Sequence, residues 1–208
     1  EAQCNLGLMY YDGKGVTQDY SQAAQWLTKS ANQGFAQAQY NLGTMYREGQ
    51  GVTLSKSHAI QWFNKAAEWF TKAANQGDAN AQYNLGIMYD KGQGVVQDYT
   101  KAFEWFTKSA NQGIAIAQYS LGMMYYKGQG ISQNYNKAFE WFSKAANQGD
   151  AKAQSNLGSM YHNGRGIAQN FNLAFEWFSK AANQSGKSKC TTWHRGDVFS
   201  RPRGLTKL

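Results

Sequence analysis

Proline is nearly missing, with one residue in 208 against 22 glycines. That balance argues against a loop-rich β fold and for helices punctuated by glycine. Cysteine is scarce too: Cys4 and Cys190 stand near opposite ends with neither paired nor ligand-like spacing. The pattern argues against a disulfide scaffold or structural zinc site and leaves the redox compartment open. No apolar run approaches the ~18–20 residues that a membrane helix needs, so no spanning helix is expected. Charged residues make up only 16% of the chain, yet aromatics reach 15%, which supplies a core and excludes a disordered chain. No charged-then-apolar leader is visible, so any targeting signal would lie outside this sequence, and localisation stays open.

The formal charge of +8 is unevenly placed. Residues 1–184 carry fifteen Lys and Arg against twelve Asp and Glu, whereas the last 24 residues carry six against Asp197 alone. The basic character belongs mostly to the tail. The body has no basic stripe, and no nucleic-acid partner is expected.

What is present is self-similarity. Leu-Gly recurs at 6–7, 42–43, 85–86, 121–122 and 157–158, in steps of 36, 43, 36 and 36. Around it returns one unit: A-x-A-Q-Y-N-L-G-x-M-Y, then G-x-G, then A-F-E-W-F-x-K-A-A and N-Q-G. A fixed period of this size means an array whose units bury their apolar faces on one another. About five units are expected, at 1–34, 35–77, 78–113, 114–149 and 150–184, followed by a basic, poorly ordered tail at 185–208.

Each unit reads as two helices. Helix A is typified by 79–91, where Ala81, Leu85 and Met88 form one apolar stripe. Helix B is typified by 98–111, with Tyr99, Ala102, Phe103, Phe106 and Ala110 on one face, widened by Trp105. Asp19, Ser55, Asp98, Asn134 and Asn170 stand where B helices need a cap. Glu68–Lys72, Glu104–Lys108, Glu140–Lys144 and Glu176–Lys180 have the i,i+4 order that favours ion pairs. Gly34, Gly77, Gly113 and Gly149 are placed to stop the B helices, and Gly pairs such as 92/94 to make the A-to-B turn. The glycine after each Leu lies inside helix A at a cost of ~1 kcal/mol against Ala, so close helix approach is expected there.

These residues resemble the Sel1-like repeat family, cousins of the tetratricopeptide repeats, over residues 1–184. The resemblance implies an all-α fold, a right-handed α-solenoid of about five Sel1-like helix-turn-helix repeats. It also implies a non-enzymatic adaptor for protein complexes, as in endoplasmic-reticulum quality control or in bacterial signalling, envelope functions and host interaction. The cysteine-rich members linked with β-lactam binding carry a disulfide per repeat, which this chain lacks.

Two departures stand out. The second unit is seven residues longer, visible as WFNKAAE followed by WFTKAAN. Seven residues turn through about 700°, so its helix B is expected to be two turns longer, still in phase, and to project from the array or bend it. The second departure is at the ends: Glu1 falls at the position of Asn80, so the first helix A starts part-way in.

Comparing the repeats separates two stripes on helix A. Ala38/Leu42/Met45, Ala81/Leu85/Met88, Ala117/Leu121/Met124 and Ala153/Leu157/Met160 hardly vary and read as the packing seam. The second stripe varies: Gln37, Tyr40, Thr44 and Arg47; Asn80, Tyr83, Ile87 and Asp90; Ile116, Tyr119, Met123 and Tyr126; Lys152, Ser155, Ser159 and His162. With A helices lining the concave face of a helix-pair solenoid, that stripe is the expected groove for a protein or peptide partner. Ile116, Tyr119, Met123 and Tyr126 form its apolar centre; Arg47, Asp90, Lys152 and His162 form its polar surround.

Other motifs point nowhere. His58, His162 and His194 occupy non-equivalent positions without a recognisable Cys, Ser or carboxylate partner, so neither catalytic nor metal-ligating residues are assigned. No Ser-x-x-Lys occurs. The stretch 181–188 mimics a phosphate loop but lacks its first Gly and follows a helix, so no nucleotide or other cofactor is expected. Arg195-Gly196-Asp197 is read as coincidence, and the recurring Trp and Phe as core.

Overall fold

The structure, a computed structural model, describes residues 1–185. The phosphate-loop mimic ends beyond them, and Cys190, His194, the Arg-Gly-Asp tripeptide and the remaining tail lie outside them.

Among the described residues, ten helices alternate as A and B members of five pairs: α1 (Ala2–Asp12) with α2 (Tyr20–Asn32), α3 (Ala36–Glu48) with α4 (Lys56–Asn75), α5 (Ala79–Lys91) with α6 (Tyr99–Asn111), α7 (Ala115–Lys127) with α8 (Tyr135–Asn147), and α9 (Ala151–Asn163) with α10 (Phe171–Ser185). Each helix packs on its sequence neighbours, so the pairs stack into a solenoid. The fold class is the one expected from the period.

Local chemistry sets the boundaries. The expected caps hold: Asp19, Ser55, Asp98, Asn134 and Asn170 each accept a backbone N–H from the first turn of their B helix. On the A side Asp78 and Asp150 do the same at 2.6 and 2.7 Å, whereas α3 and α7 begin at Phe35 and Ile114 without a side-chain cap. The packing seam is buried throughout, from Ala38, Leu42 and Met45 to Ala153, Leu157 and Met160. The glycine inside helix A is explained by contact: a Cβ at Gly86 would stand 2.7 Å from the Phe106 ring, and one at Gly122 2.7 Å from Phe142. Neighbouring units are clamped by buried glutamines. Gln39, Gln82, Gln118 and Gln154 each donate Nε2 to an Ala carbonyl at the end of the preceding B helix, at 3.1–3.2 Å.

Two expectations are corrected. The i,i+4 Glu–Lys ion pairs do not form among the described residues. Each lysine instead lies over the Trp three residues before it: Lys72 on Trp69 at 4.9 Å, Lys108 on Trp105 at 4.0 Å, Lys144 on Trp141 at 4.0 Å and Lys180 on Trp177 at 4.2 Å. The indole face attracts the ammonium while its stem covers apolar surface, and an exposed carboxylate has less to offer. The tryptophans therefore edge the core instead of filling it: Trp62, Trp105, Trp141 and Trp177 pack against it from outside. Phe63, Phe106 and Phe142 fill the core at 4% exposure or less, whereas Trp62, Trp105 and Trp141 are half-buried and Trp69 reaches 47%.

Helix α4 has 20 residues where α6 and α8 have 13, so the seven-residue surplus extends it as expected. Its phase is preserved. Ala59, Phe63, Ala66, Ala67, Phe70 and Ala74 all face inward.

Candidate partner-binding face

The variable stripe lies along the A-helix layer. Three tyrosines give it a repeated frame: Tyr40 packs on Phe63 with ring centroids 5.5 Å apart, Tyr83 on Phe106 at 5.7 Å, and Tyr119 on Phe142 at 5.8 Å. Each ring is seated on the helix B of its own pair, and its hydroxyl end reaches towards the next unit. Ser120 stands beside the Tyr83 hydroxyl, and Asn156 beside that of Tyr119. Between them, Asn84 Nδ2 donates to Gln37 Oε1 at 3.1 Å, and Asn156 Nδ2 to Met123 Sδ at 3.6 Å. The face is thus a row of side chains braced against each other, preorganised at little entropic cost.

Burial sorts the stripe. Ile116 (46% exposed), Arg47, Asn80, Lys152 and His162 are exposed. Gln37, Tyr40, Thr44, Tyr83, Ile87, Asp90, Tyr119, Met123, Tyr126, Ser155 and Ser159 are half-buried. Tyr83, Ile87, Tyr119, Met123 and Tyr126 also pack against the buried core, so they are framework and surface at once. Tyr126 touches Tyr135 at 5.2 Å and accepts a hydrogen bond from Arg165 in the next unit. His162 meets Phe171 at 5.3 Å.

Burial also marks the electrostatics. It pushes the hydroxyls of Tyr40, Tyr83 and Tyr119 above the usual phenol range, Tyr83 up to about 12, with the Asp150 carboxylate adding to the effect at Tyr83 and Tyr119. These tyrosines are neutral hydrogen-bonding groups at physiological pH. They offer amphipathic contact area and no nucleophile.

One histidine does have a partner that its spacing did not suggest. His58 Nδ1 lies 2.7 Å from Ser55 Oγ, and its ring stacks on Tyr46 at 5.0 Å. The couple sits at the exposed start of α4, where Ser55 is the helix cap, and no carboxylate orients the ring through a hydrogen bond among the described residues. It is a capping contact. No group of three or more His, Cys, Asp or Glu is placed to hold a metal among the described residues, and no described helix is long and apolar enough to cross a membrane.

Comparison with known proteins is consistent with this architecture. The family model of the Sel1 repeat matches residues 1–35, 36–68, 64–78, 79–114, 115–150 and 151–186; the two overlapping matches fall in the lengthened unit. Among solved structures, a protective antigen of uropathogenic Escherichia coli with an SLR fold is 41% identical over 88% of this chain, with a TM-score of 0.61. The chain spans only 38% of that protein's length. A Sel1 repeat protein of Oxalobacter formigenes is 33% identical, with a TM-score of 0.66, over 88% of this chain and 70% of its own. An immunity protein of Pseudomonas aeruginosa, at 17% identity and a TM-score of 0.53 over 86% of this chain and 81% of its own, shares the fold alone. No curated protein matches the chain.

Proposed function

The chain belongs to the Sel1 repeat family, and from that premise we propose that it is a non-enzymatic adaptor that binds a protein or peptide partner along its A-helix face, the concave face of the solenoid. One observation carries the reading. At equivalent positions the packing stripe repeats Ala, Leu and Met without change, while the neighbouring stripe changes from Gln37 to Asn80 to Ile116 to Lys152 on a shared scaffold. Packing accounts for the first; in the second it engages Tyr83, Ile87, Tyr119, Met123 and Tyr126 but not the position of Asn80, Ile116 and Lys152, which is exposed and differs in each unit. The mechanism is rigid display: Ile116, Met123 and the tyrosine edges give an apolar centre, with Arg47, Asp90, Lys152 and His162 around it.

The test uses exposed positions, because half-buried Tyr119 and Tyr126 would confound binding with folding. Ile116→Glu combined with Lys152→Glu should abolish co-purification of the native partner while leaving the melting temperature unchanged. Lys108→Glu on the B layer should leave capture intact. Capture that survives the A-face pair and is lost with the B-layer change would contradict the proposal.

A second reading is favoured by the 41% identity to a protective antigen. On that reading the partner lies at an envelope or on a host cell, and the same face binds it.

A further inference from the structure

The surplus helix does more than lengthen one unit: it shifts the array. At the regular junctions the second turn glycine of each unit lies on the first carbonyl of the preceding B helix: Gly51 on Tyr20, Gly130 on Tyr99, Gly166 on Tyr135. At the junction after the long helix, Gly94 lies on Phe63, seven residues beyond Lys56, the first residue of α4. The A layer agrees. Tyr11 donates to Gln50 at 2.7 Å, and Tyr126 accepts from Arg165, joining equivalent positions of adjacent units. The equivalent in α3 is Arg47, but Gln93 is taken by Tyr40, again seven residues away, at 3.0 Å. Ile60 confirms the shift. It holds the position of Phe103 and Phe139, which Tyr125 and Tyr161 cover at 5.4 Å, yet it is 57% exposed. The third unit is therefore docked two helical turns, about 10 Å, along α4.

This step opens the A layer. With α5 displaced, the C-terminal half of α3 lacks its neighbour on one side. The vacated space is a cleft of about 260 Å³ lined by Leu8, Tyr11, Tyr40, Arg47, Glu48 and Lys91, with Asn41 and Thr44 at the α3 wall. At ~30 Å³ per water, it has room for a side chain and part of its neighbour. Its charge is unbalanced. Arg47 pairs with Glu48 at 2.7 Å, whereas Lys91 has neither ion pair nor ring contact among the described residues. Asn41 accepts from Gln37, but its buried Nδ2 has no hydrogen-bond partner.

We infer that this cleft is a specificity pocket for an acidic side chain of the bound peptide, a carboxylate flanked by an apolar residue. The carboxylate meets Lys91 and Arg47, and its flanking residue lies against Leu8, Tyr11 and Tyr40. The inference rests on the reading of the A-helix face as the partner surface. It adds that the seven-residue duplication built the pocket.

The test titrates the isotope-labelled full chain with an acetylated, amidated Ala-Leu-Glu-Leu-Ala peptide and with its Gln counterpart, following backbone amide shifts. The Glu peptide should shift the amides of Tyr40 to Glu48 and Lys91 saturably at millimolar concentration, with the Gln peptide roughly tenfold weaker, and the response should shrink as salt is raised. Lys91→Glu should remove the response, whereas Lys127→Glu, at the equivalent position of the next unit, should not. Deleting residues 62–68 restores the 36-residue period, closes the step and should also remove the response while the chain still melts cooperatively. Equal shifts with both peptides, shifts elsewhere, no shifts, or a response surviving either Lys91→Glu or the deletion would overturn the inference. Native-partner capture lost with Ile116→Glu and Lys152→Glu would still support the broader proposal, so the two fail separately.

Discussion

Gly122 shows at a single residue how packing outranks propensity. Alanine there gains about 1 kcal/mol of helix propensity, but its Cβ would stand 2.7 Å from the ring of fully buried Phe142. Gly122→Ala should therefore destabilise by about 1–3 kcal/mol in urea denaturation, and adding Phe142→Leu should recover part of the loss. The lysine–tryptophan contacts give a second residue-scale expectation. Lys108→Ala should cost about 0.5–1 kcal/mol by the same measurement, and Glu104→Gln less than about 0.5 kcal/mol, because the lysine is held by the indole and not by the carboxylate. A third concerns Tyr83, whose hydroxyl is raised from 10 to about 12. The neutral form is favoured in the fold, so its contribution is intact below pH 10 and is lost as pH rises towards 12. Stability curves should fall across that interval, and Tyr83→Phe should make the fall shallower.

At the scale of elements, the boundaries were legible because each has a local cause. Asp98 caps α6, Leu85 and Met88 mark the buried side of α5, and the glycine of Asn-Gln-Gly stops each B helix before α9. The ion pairs are not decided by sequence, because Glu104–Lys108 and Trp105–Lys108 share one lysine, and helix spacing alone does not choose between them. The length and phase of α4 were legible from seven residues making two turns. The step was not, because WFNKAAE and WFTKAAN offer the next unit two nearly identical docking places. Only tertiary packing selects Phe63 for Gly94. The same phase argument predicts opposite fates for two deletions. Removing residues 62–68 should leave a cooperative melt with a midpoint within a few degrees. Removing Asn64 alone rotates the rest of α4 by about 100°, exposes Phe70 and should cost ~3 kcal/mol or more by circular dichroism melting.

Across the whole molecule, the solenoid is two blocks in register within themselves and offset at α4. The variable stripe could be read from the repeats because equivalent positions compare with each other. That half of it is braced framework could not, since Tyr40–Gln93 and Asn84–Gln37 join different units. On the proposed function, the A layer meets the partner while the B layer faces away. Hydroxyl-radical footprinting of the chain, free and bound to its co-purified partner, tests this most directly. Protection of Met123, Tyr119 and Ile116, with Trp105 and Trp141 oxidised equally in both states, is the predicted result. Protection of the tryptophans with Met123 unchanged would contradict it.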